Sequence, residues 1–570
     1  MILRRSRPKW INHQRHQSQL SRKNHQQLVQ IKTRAKIRAG GSSMVMTDKA
    51  ATLMRRFKKA KKDRSMWDST LEEAYDLFLP NRQTERVQTR GNQRFTRLFD
   101  STGVESLQEW ADVIKQGLMP SNQNWANAVP SGRIEAEVEL GNADKSKRDE
   151  LARQLEIITS VIFKYIHASN FDQAVHESLQ DAGISTGALL VLDNDDVDDP
   201  IRFVSVPSSQ VILEGDDKGG IAGVYREHQL KAESIKVMFP KAKPDTNIDE
   251  MAARDPRKDV SVIEAVVWNV KERHWEYLIL IKAAERQLYF EDTYEVTPWC
   301  IFRANVAAGE VMGRGNAMTA LATMRTLNKL ESQLIYNNDM AINPPLIMDT
   351  NMSLLDPSNV RLAPKRILPV NYNFDGQASA FRFLESSGTR FNVGENMKLG
   401  YQNKVRNMFA LPMIGDMTDP TKSATEINIR NQQALSKQAA MFGRLSQELV
   451  TQVIVRVHHI LSKYDIVPKE LSFNGEAVSI KATSPLARVQ DMADLEGLLQ
   501  YEQYMMSKGE MGMAMMAATI DIEQANVFTA NKMGVPAQLK LDDNKRAAAF
   551  KALQGMAQQQ AQNATGGQPQ

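Results

Sequence analysis

GRGNAMTALATMRTLNKLESQLIYNNDMAINPPL, residues 313–346, frames the whole chain. Glycines open it, and Pro344 and Pro345 close it. Between them Leu321, Met324, Leu327, Leu330 and Leu334 recur at spacings of three and four, the apolar stripe of an amphipathic helix. Proline lacks the amide donor and clashes with the preceding turn, so the helix stops there. The spacing predicts a helix over Ala317 to Met340, 24 residues with a rise of about 36 Å. Residues 346–387 are Pro- and Asn-dotted and strand-like, and Asn392 to Phe409 reads as a second helix. Two amphipathic rods joined by a short segment are therefore the expected centre of the fold.

Towards the N-terminus, residues 47–80 read as helix, with Trp67, Leu71, Tyr75 and Phe78 on one face and Pro80 as the stop. Its Lys/Arg run, Arg55 to Arg64, reads as a solvated face, with nucleic-acid contact as the alternative. Leu98 to Leu118 is a second helix with N-cap candidates in Asp100-Ser101-Thr102, and Ser146 to Ala168 a third. From Thr186 to Asn305 the pattern turns to strands. Ile201 to Val206 alternates, and Val262–Val270 and Trp275–Ile281 flank the polar Lys271 to His274 as a hairpin.

Towards the C-terminus, Leu411 to Thr421 reads as a loop. Ser423-Ala424-Thr425-Glu426 matches a capping box that opens one long helix to about Ser462. Leu435, Phe442, Leu445, Leu449, Val453, Val457 and Ile460 form its stripe. A strand is expected over 471–481, a helical region over Leu486 to Leu553, and a Gln-rich low-complexity tail over 556–570. The expected fold class is α+β, predominantly helical.

The formal net charge of +5 is unevenly placed. Residues 1–46 hold 11 Lys/Arg and no acid, which leaves the rest at −6 (+5 less 11). An acidic body does not grip DNA tightly, because non-specific affinity rises with each phosphate neutralised. The one cysteine, Cys300, lies in the apolar run Trp299 to Phe302, which reads as an inert small hydrophobe and rules out an intrachain disulfide. No apolar run approaches the roughly 18 residues of a membrane-spanning helix.

Chemistry-bearing patterns are weak. Asp193 to Asp199 is acidic, but an EF-hand loop would need Gly where Asp198 stands and Glu where Val204 stands, so an acidic turn is expected. Gly313-Arg314-Gly315 lacks the remaining residues of a dinucleotide fingerprint or a P-loop and reads as a flexible turn before a helix. His458 and His459 are adjacent and point apart. No catalytic residue, metal site or cofactor is expected, and the absence of an ATPase signature leaves any DNA movement to another protein.

Four stretches in order carry a family resemblance. They are Leu98-Phe99-Asp100-Ser101-Thr102 with Leu118, Pro120 and Trp125; Gly313-Arg314-Gly315 with Leu327-Asn328 and Asn343-Pro344-Pro345-Leu346; Ser423-Ala424-Thr425-Glu426-Ile427 with Arg430; and Gly534-Val535-Pro536 before the Gln-rich tail. Over about residues 50–560 the chain resembles the portal, or head-to-tail connector, family of short-tailed double-stranded DNA bacteriophages. The resemblance implies a dodecameric homo-oligomeric ring with wing, stem, clip and crown. It also implies a DNA channel, with terminase, major capsid, scaffolding and tail adaptor proteins as partners and no membrane. The expected placement is the virion portal vertex after assembly in the host bacterial cytoplasm.

By position, the resemblance divides the chain into a basic leader (1–46), N-terminal helices and strand-rich wing (47–310), a first stem helix (311–342), the clip (343–388) and a second stem helix (389–410). A channel loop (411–424), the long wing helix with a returning strand (425–485), a helical crown (486–555) and the tail (556–570) follow. Lys422 in the loop, and Lys398, Lys404 and Arg406 on the second stem helix, are the channel-facing candidates; intersubunit ion pairs or solvent are the competing reading for the stem residues. Arg361, Lys365 and Arg366 in the clip are candidates for terminase, tail or subunit contacts. A packaging enzyme and a scaffolding or other head–tail structural protein are the rival classes. The first lacks the nucleotide-binding and paired-carboxylate motifs it would need, and the strand-rich segment speaks against a scaffold.

The leader is not required by the family pattern. It ends in Gly40-Gly41-Ser42-Ser43 before Met44 and Met46, and we expect translation to start at one of these methionines; a disordered tail or a basic nucleic-acid-binding arm is the alternative. Mass spectrometry of particles should find no peptide between Trp10 and Lys36; recovery of such peptides would show that the leader is made.

Overall fold

The computed structural model describes residues 42–82, 98–140, 145–194, 196–239, 242, 246–282, 288–349, 367–370, 381–383, 391–409, 441–468, 478–483, 485–520 and scattered positions between 525 and 552. These fall into two compact units, one within residues 1–66 and 212–295, the other within 67–211 and 296–570. In chain order come α1 (Ser42–Phe78), α2 (Thr102–Leu118), β1 (Ala126–Pro130), α3 (Gly132–Glu139), α4 (Lys145–Ala168), α5 (Phe171–Ile184), β2 (Thr186–Asp193) and β3 (Ile201–Ser205). Next are β4 (Val211–Gly215), β5 (Ile221–Lys231), α6 (Ala232–Met238), α7 (Thr246–Arg254), β6 (Asp259–Asn269), β7 (His274–Ile281), β8 (Leu288–Tyr294) and β9 (Trp299–Arg303). Then follow α8 (Asn316–Ile342), β10 (Leu346–Asp349), β11 (Ile367–Val370), β12 (Phe381–Phe383), α9 (Phe391–Met408), α10 (Gln452–Lys463), β13 (Val478–Ala482), α11 (Pro485–Met506) and α12 (Glu510–Thr519).

The first unit is a five-stranded sheet, order β4-β5-β6-β7-β8, with the N-terminal part of α1 on one face. Ala50, Leu53, Met54, Phe57 and Ala60 of α1 pack on Tyr225, Ile263, Ala265, Leu278 and Leu280, the alternate positions that share that face. The other face buries Val260, Val262, Ile279 and Ile281 beneath Ala232 and Ile235 of α6. Burial on both faces explains why apolar residues of β6, such as Val262, Ile263, Ala265, Val266 and Val267, point to either side. The basic run of α1 finds partners in its own unit. Arg56 pairs with Glu214 at 3.0 Å, and Lys61 with Glu227 at 2.7 Å. Each such exposed pair stabilises little, but each occupies a cation.

In the second unit β2 is the central strand of an antiparallel sheet, order β3-β2-β9. It is buried along most of its length in the largest apolar core, with α2, α5 and the helical stretch over 441–463. The sequence predicts no element over Phe171–Ile184, where the structure places α5. Its buried positions include the small residues Ala174, Ala182 and Gly183, which thin the periodic signal. Asp181 of α5 is fully buried, accepting the Tyr75 hydroxyl at 2.6 Å and the Arg82 guanidinium at 2.6 Å. Burial pushes its carboxyl above the usual range, and Arg82 and Tyr75 pull it back. Cys300 is buried in β9, and burial pushes its thiol up to about 12, so it is not a nucleophile.

Two expectations are corrected. The turn at Gly313-Arg314-Gly315 is not a loose connector. Gly315 N donates to Ile184 O at 3.1 Å, Gly313 N donates to Thr186 Oγ1 at 2.9 Å, and Ser185 Oγ donates to Gly313 O at 2.8 Å. A Cβ on Gly315 would stand 2.0 Å from Gly183 O, so glycine is required by close backbone approach. The long helix expected up to Ser462 is interrupted, within its described part, by a π-turn over Ser446–Thr451. Within the expected helical C-terminal region, α11 and α12 are separated at Gly509, whose φ of +69° is left-handed.

Gly315→Ala should lower stability by about 1–3 kcal/mol, the usual cost of overpacking. Gly443→Ala, on a helical position with open space around it, should be neutral or raise stability by about 0.5–1 kcal/mol. Unfolding midpoints by calorimetry of the two variants should therefore move apart.

Candidate functional site

The two rods of the sequence reading are α8 and α9, and they run antiparallel. Leu334 sits against Gly394, where a Cβ would lie 2.7 Å from Leu334 Cδ2. Three residues back along α8 and four on along α9, Glu331 pairs with Lys398 at 2.8 Å. Near the opposite ends the Thr323 hydroxyl lies 3.9 Å from Met408 Sδ. The stripe of α8 is as expected, with Leu321, Met324, Leu327 and Leu334 buried and Leu330 half-buried. Beyond α8 comes a small sheet, order β11-β10-β12, parallel on one side of β10 and antiparallel on the other.

The segment before α2 locks onto this pair of helices. Asn328 Oδ1 accepts the backbone amides of Phe99 and Asp100 at 2.7 and 3.3 Å. Asp100 is buried; one carboxylate oxygen accepts Thr102 N at 2.8 Å and the other accepts Gln402 Nε2 at 2.9 Å. Asp100, rather than Ser101, thus satisfies an open amide at the start of α2. The Leu98 to Thr102 motif, the Leu327-Asn328 motif and α9 meet at one polar node.

Large apolar side chains stand among the exposed polar residues of the pair. Ile335, Tyr336 and Ile342 on α8 and Val393, Met397 and Leu399 on α9 are 46–77% exposed. Ile335 and Ile342 are seven residues apart, and Val393 and Met397 four apart, so each pair shares a helix face. Exposed apolar side chains in such numbers mark surfaces that meet a partner.

The basic candidates on α9 have different surroundings. The Lys398 ammonium is held above its usual range by the hydrogen bond it donates to Glu331, against the opposing effect of burial, with the charges of Glu331, Asp100 and Glu395 adding to the rise. Its charge is therefore committed within the chain. Arg406 is exposed and lies 3.8 Å from Glu105. Lys404 is exposed and has no ion pair among the described residues. Lys422, Arg361, Lys365 and Arg366 lie outside the described residues.

The remaining candidates are quiet. Asp193 takes hydrogen bonds from the Tyr464 hydroxyl and the Lys463 ammonium, and Asp196 accepts the amide of Asp198, so these carboxylates serve a turn. No group of three metal-binding side chains occurs among the described residues. Arg314 forms a bidentate pair with Glu310 and stacks 4.6 Å from the Trp67 ring centre, so its guanidinium is already engaged. Two polar centres escaped the sequence reading: the Asp100–Asn328–Gln402 node and a pair between Arg303 and Glu448. The first had a signal, since both motifs were visible, but nothing local joins residues 229 positions apart.

Comparison with known proteins gives the family. A model described as "Bacteriophage head to tail connecting protein" matches residues 50–540. A protein of Bordetella phage BPP-1 named "Probable portal protein" is 23% identical over 458 residues, covering 77% of this chain and 79% of its own length. Among solved structures, a chain of "Virion of native gene transfer agent (GTA) particle" aligns with a TM-score of 0.33 and 10% identity, covering 76% of this chain and 89% of that one. A chain of "Neck of empty GTA particle computed with C6 symmetry" aligns with a TM-score of 0.31 and 10% identity, covering 75% and 90%. With a match that spans both rods and the polar node part-way along them, the chain belongs to the bacteriophage head-to-tail connecting protein family.

Proposed function

We propose that this chain is the portal subunit of a phage. It forms a dodecameric ring at one capsid vertex, through which double-stranded DNA is packaged and later ejected. The observation that carries the reading is the antiparallel pair α8–α9, braced part-way along by Asp100 and Asn328 and carrying large exposed apolar side chains on faces turned away from the pair. Copies of such a pair bury those faces against one another and surround a central hole. Family membership over residues 50–540 supports the same reading.

The channel role follows from charge. DNA must slide, and each neutralised phosphate adds affinity and friction. An acidic body, some of whose basic side chains are engaged in ion pairs, offers few lasting contacts. Lys398 is spent on Glu331 of its own chain, which weakens it as a channel-facing candidate. Lys404 is then the strongest channel-facing candidate on α9, with Lys422 as the candidate beyond the described residues. The sheet of β10 to β12 belongs to the proposed clip, where Arg361, Lys365 and Arg366 contact the terminase, the tail or a neighbouring subunit. The chain acts without chemistry of its own, and a separate motor supplies the energy.

The purified protein should show a native mass of about 770 kDa, twelve copies of 64.2 kDa, and an open axis in negative stain. A persistent monomer, or a closed assembly, would leave the alternative of a structural head–tail or scaffolding protein without a channel. Lys404→Glu with Lys422→Glu should keep the ring intact and lower DNase-protected genomes per particle several-fold; normal filling removes both lysines from the channel. Alanine at Arg361, Lys365 and Arg366 together should weaken terminase capture in a pull-down, and unchanged capture would move that contact elsewhere.

A further inference from the structure

The π-turn over Ser446–Thr451 and the pair it carries have no part in the reading above. A π-turn bonds i to i+5, is intrinsically rare, and persists where its surroundings hold it. Here the stripe supplies one reason. Leu445, Leu449, Val453 and Val457 are spaced by four and all buried. In a regular helix each step of four overshoots by about 40°, so the stripe would wind off its partner surface. A widened turn in mid-run brings it back.

The second reason is Glu448, inside the turn. Its carboxylate accepts three hydrogen bonds from Arg303: from the backbone N at 2.9 Å, from Nε at 3.2 Å and from Nη2 at 2.6 Å. Arg303 is buried at the end of β9, and its Nη1 donates to Val311 O at 3.0 Å. Gly313 lies over its stem, since a Cβ there would stand 3.1 Å from Arg303 Cβ. One guanidinium thus joins the wide turn to the backbone that starts α8. The turn also shows local cost: Gln452 Oε1 is buried without a hydrogen-bond partner among the described residues. Thr451 Oγ1 donates to Ser446 O at 3.1 Å, a side-chain bond within the wide turn.

We propose that the turn Ser446–Thr451 is a register switch, held wide by the Arg303–Glu448 pair, through which the helix over 441–463 and the start of α8 change together. Closing the turn to regular α-bonding shifts the register by one residue, a rotation of about 100°. Phe442, which stands 3.6 Å from a Cβ position at Gly117 of α2, and the buried Leu445 then leave their seats. The same shift withdraws Glu448 from Arg303 and loosens the guanidinium that holds Val311 O and underlies Gly313. The inference concerns motions of one chain and does not depend on ring formation.

Hydrogen exchange read by mass spectrometry on the full chain tests it. Glu448→Gln keeps the shape and one acceptor but removes the charge. Peptides over 446–456 and over 311–318 should both exchange at least about tenfold faster, as expected when a local opening becomes easier. The β6–β7 hairpin, Asp259 to Ile281, should be unchanged. No acceleration at 446–456, or acceleration there without 311–318, overturns the coupling; acceleration throughout the chain overturns it as general loosening. Should Glu448→Gln fail to fold, Arg303→Lys is read on the same peptides. It keeps the charge but cannot form the forked contact, so both peptides must again accelerate together.

Discussion

Where α5 ends and β2 begins, two backbone stretches touch with no side chain between them. Gly315 lies against Gly183, and Gly313 against Ser185 and Thr186. Gly313 N, Gly313 O and Gly315 N each find a partner across it, as buried backbone requires. In this conformation α8 therefore starts from a point tied to the sheet β3-β2-β9. Its direction is inherited from β2, the buried centre of that sheet.

Two further ties carry that direction outward. Asn328, about three turns along α8, holds the chain entering α2, and Asp100 in return holds α9 through Gln402. Arg303 links β9 to the turn that precedes α8 and to Glu448 in the wide helical turn. Polar groups make these ties, and they sit at edges of an otherwise apolar core. A buried polar group left unmatched costs more than a matched one gains, so such ties specify one arrangement more strongly than they stabilise it.

Charge is organised by the same economy. The Lys/Arg run of α1 and the lysine at position 398 look available in the sequence. In the structure Arg56, Lys61 and Lys398 face carboxylates of Glu214, Glu227 and Glu331. Large apolar side chains remain exposed on α8 and α9, among them Ile335, Ile342, Val393 and Met397.

The periodicity of residues 313–346 and 392–409 was enough to establish two helices with a break between them, and the β6–β7 hairpin was legible from its alternation and polar turn. These are local properties, because hydrogen bonding within a helix or hairpin leaves its period in the adjacent sequence. The inert setting of Cys300 was likewise readable from its apolar neighbours. Helix α5, the wide turn at Ser446–Thr451 and the fate of each basic side chain were decided only in three dimensions. The partners concerned are 145, 229 and 302 residues apart in Arg303–Glu448, Phe99–Asn328 and Asp100–Gln402, and no local pattern encodes a contact that depends on where separate elements come to rest.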